Sequence, residues 1–123
     1  MGDTTVRMKG GVVQATTCIG YKVVNPRGEH LGKIEDLLID LHEGFVAAAI
    51  LSFGGFLGLG NKLFAVPLTA MTFHPAERKF VLDLDKEVLK NAPGFDPAQW
   101  PRINDRLWAR DVYSYYGYPP YWQ

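Results

Sequence analysis

The run Gly54-Gly55-Phe56-Leu57-Gly58-Leu59-Gly60-Asn61-Lys62 has the glycine content of a phosphate-binding loop, in which backbone N–H groups cradle an anion. Its order is wrong for that chemistry. A Walker loop needs lysine directly after the last glycine and then Ser or Thr, whereas Asn61 intervenes and Leu63 follows Lys62. A dinucleotide loop needs a helix after its glycines, and residues 62–66 read as a strand ended by Pro67. His30, His42 and His74 show neither HxH nor HxxxH spacing. Glu35, Asp36, Asp40 and Glu43 have the oxygens for a hard cation, but acids that flank a turn are ordinarily just solvated. Ser52 sits in Ser-Phe-Gly rather than in a Gly-x-Ser-x-Gly elbow. Cys18 has Thr16, Thr17, Ile19 and Gly20 as neighbours, none of which would activate a thiol, and a single cysteine forms no intrachain disulfide. No catalytic residue, cofactor or metal site is expected, and the chain reads as a non-enzyme.

What the residues do offer is contact surface. Glycines cannot cover Phe56, Leu57 and Leu59, so either the domain or another chain must, and we expect another chain. The tail from Tyr113 carries six aromatics, with Pro119-Pro120 holding it extended. It is either a strap over its own domain or a contact surface, because Tyr and Trp bring large area at low entropic cost. Base stacking is a third use of such rings, but only Arg110 lies near to supply charge. The expected partner contacts are Phe56, Leu57, Leu59, Trp108, Tyr115, Tyr116 and Trp122. The expected partner is a second copy in a homodimer, beside a protein partner that the residues do not name.

Composition bounds these readings. The chain has 123 residues, 47% hydrophobic and 21% charged, which suits one globular domain. Thirteen Lys+Arg balance thirteen Asp+Glu with no basic stripe, so nucleic acid is not an expected partner. No apolar run approaches the roughly 18 to 20 residues of a membrane span, and no signal-peptide core follows Arg7 and Lys9. Membrane insertion is not expected, and a cytoplasmic location is.

The elements that must position these residues are mostly strands. Residues 1–11 are polar and glycine-containing, a flexible lead-in. From Val12 to Asp83, short β-branched or aromatic runs alternate with turn chemistry such as Asn25-Pro26-Arg27-Gly28. Along residues 30–41 the apolar parity slips, since Ile34 and Leu38 disagree with Leu37, Ile39 and Leu41; a bulge near Glu35 and Asp36 would reconcile them. Residues 45–53 are apolar on both parities, so both faces need cover. Five or six strands without a crossover helix should be antiparallel, and closing them into a barrel would remove exposed edges. Ile34, Leu38, Ile50, Leu63, Phe80 and Leu82 are core candidates. Helix starts follow at Asp85, Asp96-Pro97 and Asn104, each with an apolar pair at staple spacing: Leu84 with Leu89, Phe95 with Trp100, Ile103 with Trp108. The third helix can run to about Tyr115. Its apolar stripe needs a partner, either the outward face of residues 45–53 or a second copy.

The segments Gly28-Glu29-His30-Leu31-Gly32-Lys33-Ile34-Glu35-Asp36-Leu37-Leu38-Ile39-Asp40, Ile50-Leu51-Ser52-Phe53-Gly54-Gly55, Phe64-Ala65-Val66-Pro67 and Leu82-Asp83-Leu84-Asp85-Lys86 resemble the PRC-barrel family in order and spacing. Members occur in the cytoplasmic part of the photosynthetic reaction centre H subunit, in the ribosome maturation factor RimM and as stand-alone proteins. The resemblance implies a mainly β fold, a small antiparallel barrel over residues 12–95, followed by short helices in a 96–123 extension that packs on the barrel or on a partner. It implies an assembly or protein-binding module and carries no catalytic residue set. A ribosome-assembly or RNA-associated factor, and an accessory to a photosynthetic or electron-transfer complex, are the alternatives it opens.

Overall fold

Turn residues cut the chain into short extended runs, and these become β1 (Val6–Arg7), β2 (Lys22–Val24), β3 (His30–Asp40), β4 (Phe45–Ser52), β5 (Leu63–Val66), β6 (Met71–His74), β7 (Lys79–Leu82) and β8 (Gly94–Phe95). Among the described residues they are accompanied by the α-helices α1 (Ala15–Cys18), α2 (Lys86–Lys90) and α3 (Arg106–Tyr115), and by 3-10 turns at Leu68–Ala70 and Pro75–Glu77. The structure, a computed structural model, describes residues 6–7, 12–53 and 62–122. The loop with Phe56, Leu57 and Leu59 lies outside them.

All strands join one sheet in the order β1-β6-β7-β2-β3-β4-β5-β8. The antiparallel expectation fails at one ladder, because β2 and β7 run parallel, with Val23 opposite Phe80. A parallel pair needs only a long connection, and the meander from β3 to β6 supplies it without a crossover helix. Closure is not seen either. β1 and β8 end the order unpaired with each other, so among the described residues the sheet is open and mixed rather than a closed barrel. Among the described residues the strands number eight against the five or six expected, with two-residue strands at both edges. One of these, β1, lies within the segment read as lead-in and pairs with β6. Residues 15–18, inside the stretch expected to hold strands, instead form the single helical turn of α1.

The bulge expected near Glu35 is present, since the β3–β4 register shifts between Ile34 and Asp36. A second shift, between Leu38 and Ile39, was not anticipated. Gly32 is required where it stands, because a Cβ there would fall 2.5 Å from the Ser52 carbonyl oxygen, at φ +139°. The Asn25-Pro26-Arg27-Gly28 turn closes with Gly28 N–H donating to Asn25 O at 2.8 Å. Buried Asn25 is satisfied on both ends: its Oδ1 accepts from the N–H groups of Arg27 and Glu29, and its Nδ2 donates to Glu29 and to Leu84 O.

Strand alternation sorts the apolar residues into two layers. Val23, Ile34, Ala49, Leu51, Phe64, Val66, Phe80 and Leu82 point into one core, which α2 closes with Leu89. Cys18 lies in that core, and burial pushes its thiol pKa up, as for an inert structural cysteine. On the opposite face, Ala48, Ile50, Leu63 and Ala65 form a second cluster, flanked by Leu38, Phe95, Trp108 and Val112. Of the core candidates, Leu38 is half-buried and the others are buried. The both-sided strand is therefore covered within the chain: its outward face meets α3.

Candidate interaction surface

α3 starts where Asp105 accepts the Leu107 N–H at 2.8 Å, one residue after the cap expected at Asn104. The start expected at Asp96 is only a turn. There Asp96 accepts the Ala98 N–H at 2.8 Å, and Phe95 and Trp100 meet with ring centroids 5.0 Å apart. The first residue of α3, Arg106, reaches the β3–β4 hairpin, with Glu43 at 3.3 Å and Asp40 at 3.8 Å.

Asp40 organises that end of the molecule. Its Oδ1 accepts the N–H groups of His42 and Glu43, both at 3.0 Å, which closes the hairpin turn. Its Oδ2 accepts the Tyr121 hydroxyl at 2.5 Å. Tyr121 stacks on Phe45 at 4.8 Å and 10°, and the Arg106 guanidinium lies 4.8 Å from the Trp122 ring centroid. The Tyr121 hydroxyl, the two backbone N–H groups and Arg106 hold the Asp40 carboxyl below the usual aspartate range. Burial, then the bond to Asp40, pushes the Tyr121 hydroxyl up. Tyr113 donates to Ala47 O at 2.8 Å, and burial raises its pKa to about 12. The tail is thus a strap over its own hairpin.

Among the described residues, three of the expected contacts, Trp108, Tyr115 and Tyr116, border one cleft beside α3, and the fourth lies apart from it. Trp122 lies with the strap. Trp108 packs against the outer cluster, and Tyr116 against the inner core, where burial and neighbouring Tyr115 push its hydroxyl pKa up. Tyr115 donates to Val88 O at 2.8 Å. The apolar stripe of α3 has its partner in the same chain, so it no longer argues for a second copy.

The family model of the PRC-barrel domain matches residues 10–89, about two thirds of the chain. The chain belongs to the PRC-barrel domain family. Comparison with curated proteins finds no match. The PRC-barrel match ends inside α2, so β8, α3 and the strap are what this chain adds to the matched segment. Among the described residues no three His, Cys, Asp or Glu are placed to hold a metal ion, and no helix is long and apolar enough to cross a membrane.

Where the PRC-barrel domain meets α3, a cleft of about 420 Å³ opens between the hairpin end and the helix start. Ile39, Leu41 and Ile103 line it and are exposed, Leu41 at 90%. Sequence reasoning missed these residues. The signal was present in the parity conflict of Ile39 and Leu41, but a bulge at Glu35 was expected to absorb it. Past the second register shift, between Leu38 and Ile39, Ile39 is exposed at the end of β3 and Leu41 in the turn that follows.

Proposed function

We propose that this PRC-barrel protein is a non-catalytic cytoplasmic assembly module that self-associates through the apolar rim of the hairpin cleft. The observation that carries the reading is the exposure of Ile39, Leu41 and Ile103 around one concavity. Three large aliphatic side chains grouped on a surface are costly in water and are worth roughly 1.5 to 3 kcal/mol each when an interface buries them. The even charge balance favours a protein partner over nucleic acid. Phe56, Leu57 and Leu59 belong to the proposal as further contacts outside the described residues.

Sedimentation velocity across a micromolar dilution series tests it. The parent should show a concentration-dependent dimer, and Leu41→Ser should weaken it by about ten-fold or more. The same variant should keep its melting temperature, because Leu41 makes little contact within the chain. A parent that sediments as a 13.8 kDa monomer throughout would overturn self-association.

A further inference from the structure

Three- and four-residue spacing puts Trp108, Asp111, Val112 and Tyr115 along one flank of α3, with Tyr116 following. Facing them is the segment leading into β8. It lies close to β5: a Cβ on Gly94 would fall 2.8 Å from the Phe64 ring, so only glycine lets the backbone approach. Between the two lies a second cleft of about 200 Å³, whose lining includes four aromatic residues, Phe95, Trp108, Tyr115 and Tyr116. The Tyr115 and Tyr116 planes stand at 76° with centroids 5.0 Å apart, so the two rings present their faces in different directions. Tyr115 is fixed by its bond to Val88 O, and Tyr116 by its packing on the core.

One charged side chain lines this cleft, Asp111, and among the described residues no cation is paired with it. Aromatic faces carry negative quadrupole potential, and the carboxylate adds a full negative charge at the edge. The space is too small for a drug-sized ligand, which ordinarily needs about 300 Å³ or more. We propose that the cleft binds a small alkylated ammonium group. A simple ammonium or sodium ion is held by its hydration shell, whereas a methylated ammonium has little water to lose and apolar surface to bury against rings. The group can come from a free quaternary amine or from a methylated lysine side chain. The first source stands independently of the self-association proposed above, and the second deepens that reading by naming what a protein partner would present.

Titration of the full chain, followed through its tryptophan indole N–H signals, tests this. The probes are tetramethylammonium chloride, sodium chloride at equal ionic strength, choline, its uncharged isostere 3,3-dimethylbutan-1-ol, and a short peptide carrying trimethyllysine or plain lysine. The Trp108 signal, assigned by its loss in Trp108→Phe, should shift saturably with tetramethylammonium and choline and stay put with sodium. Trp108→Ala should bind about ten-fold more weakly, and Asp111→Asn about three-fold more weakly. Asp111 is exposed, so Asp111→Asn carries the test if Trp108→Ala does not fold. Tighter binding of the trimethyllysine peptide than of the free amines would assign the protein source, and the reverse order the small molecule. Saturation by neither, equal binding of the uncharged isostere, or unchanged affinity in Asp111→Asn would overturn the proposal. Sedimentation of the same samples reads association separately, so failure of one proposal is distinguishable from failure of the other.

Discussion

The two faces of the β4–β5 pair are built from alternate residues of the same strands, yet they are covered differently. Inward, Ala49, Leu51, Phe64 and Val66 meet side chains from β2, β3, β6, β7 and α2 and are fully buried. Outward, Ala48, Ile50, Leu63 and Ala65 are roofed chiefly by one ten-residue helix, through Trp108 and Val112. Small residues at 48 and 65 let that helix lie close. One helix is narrower than the sheet it covers, however, and the two clefts open along it, one by its first turn and one along its later turns. The inner layer therefore closes completely, while the outer layer leaves concave surface beside its helix.

Substitutions can break or sharpen this contrast. Phe64→Ala, which empties the inner layer, should cost about 3 to 5 kcal/mol, read from the urea midpoint. Ala65→Leu, which wedges the roof upward, should cost about 1 to 3 kcal/mol. It should also move α3 and the Trp108 environment while leaving the strands intact by far-UV circular dichroism. Equal losses for the two substitutions would mean that the layers unfold as one. Tyr113→Phe removes the bond to Ala47 O and should cost about 1 kcal/mol.

The smallest effect expected is on the strap. Because the Asp40 pKa is depressed in the fold, its contribution is fully present above the ordinary aspartate value of 3.8 and is lost as pH falls through the lower folded value. Tyr121 behaves oppositely. Its raised pKa contributes stability below the ordinary tyrosine value of 10.0, and that contribution is lost as pH rises beyond it. Trp122 fluorescence should therefore report strap release at acid and alkaline extremes, with a plateau between. Asp40→Asn should flatten the acid limb.

The strands and the bulge were legible because parity and turn chemistry are local. Residues 45–53, apolar on both parities, announced two covered faces, and the structure gives them two clusters. The parallel β2–β7 ladder was not legible, since nothing local in Lys22-Val23-Val24 tells which way a distant neighbour runs. The Asp96 helix start failed because the same Asp-Pro chemistry that caps a helix also caps a single turn, and Pro101 stops it there. The tail was recognisable as adhesive, but tyrosine suits a strap and an interface equally. Residues distant in sequence, among them Asp40, Phe45, Ala47 and Arg106, decide where it goes. The aromatic cleft was hidden for the same reason: Phe95 and Trp108 become neighbours only when β8 joins β5.

The parallel ladder also sets an order of events for a chain being made from its N-terminus. β2 can pair early with β3, which follows it directly, but its second neighbour, β7, emerges only after β4, β5 and β6. Until then Val23 and Val24 present an open strand edge, and the Asn25 bond to Leu84 and the Arg27 pair with Asp85 at 2.9 Å cannot form. A ladder joining such distant segments forms slowly, because the whole intervening loop must be closed before any contact rewards it. On the ribosome, the nascent chain thus carries an unpaired edge through most of its synthesis, and that interval is when it is most exposed to mispairing with a neighbouring copy.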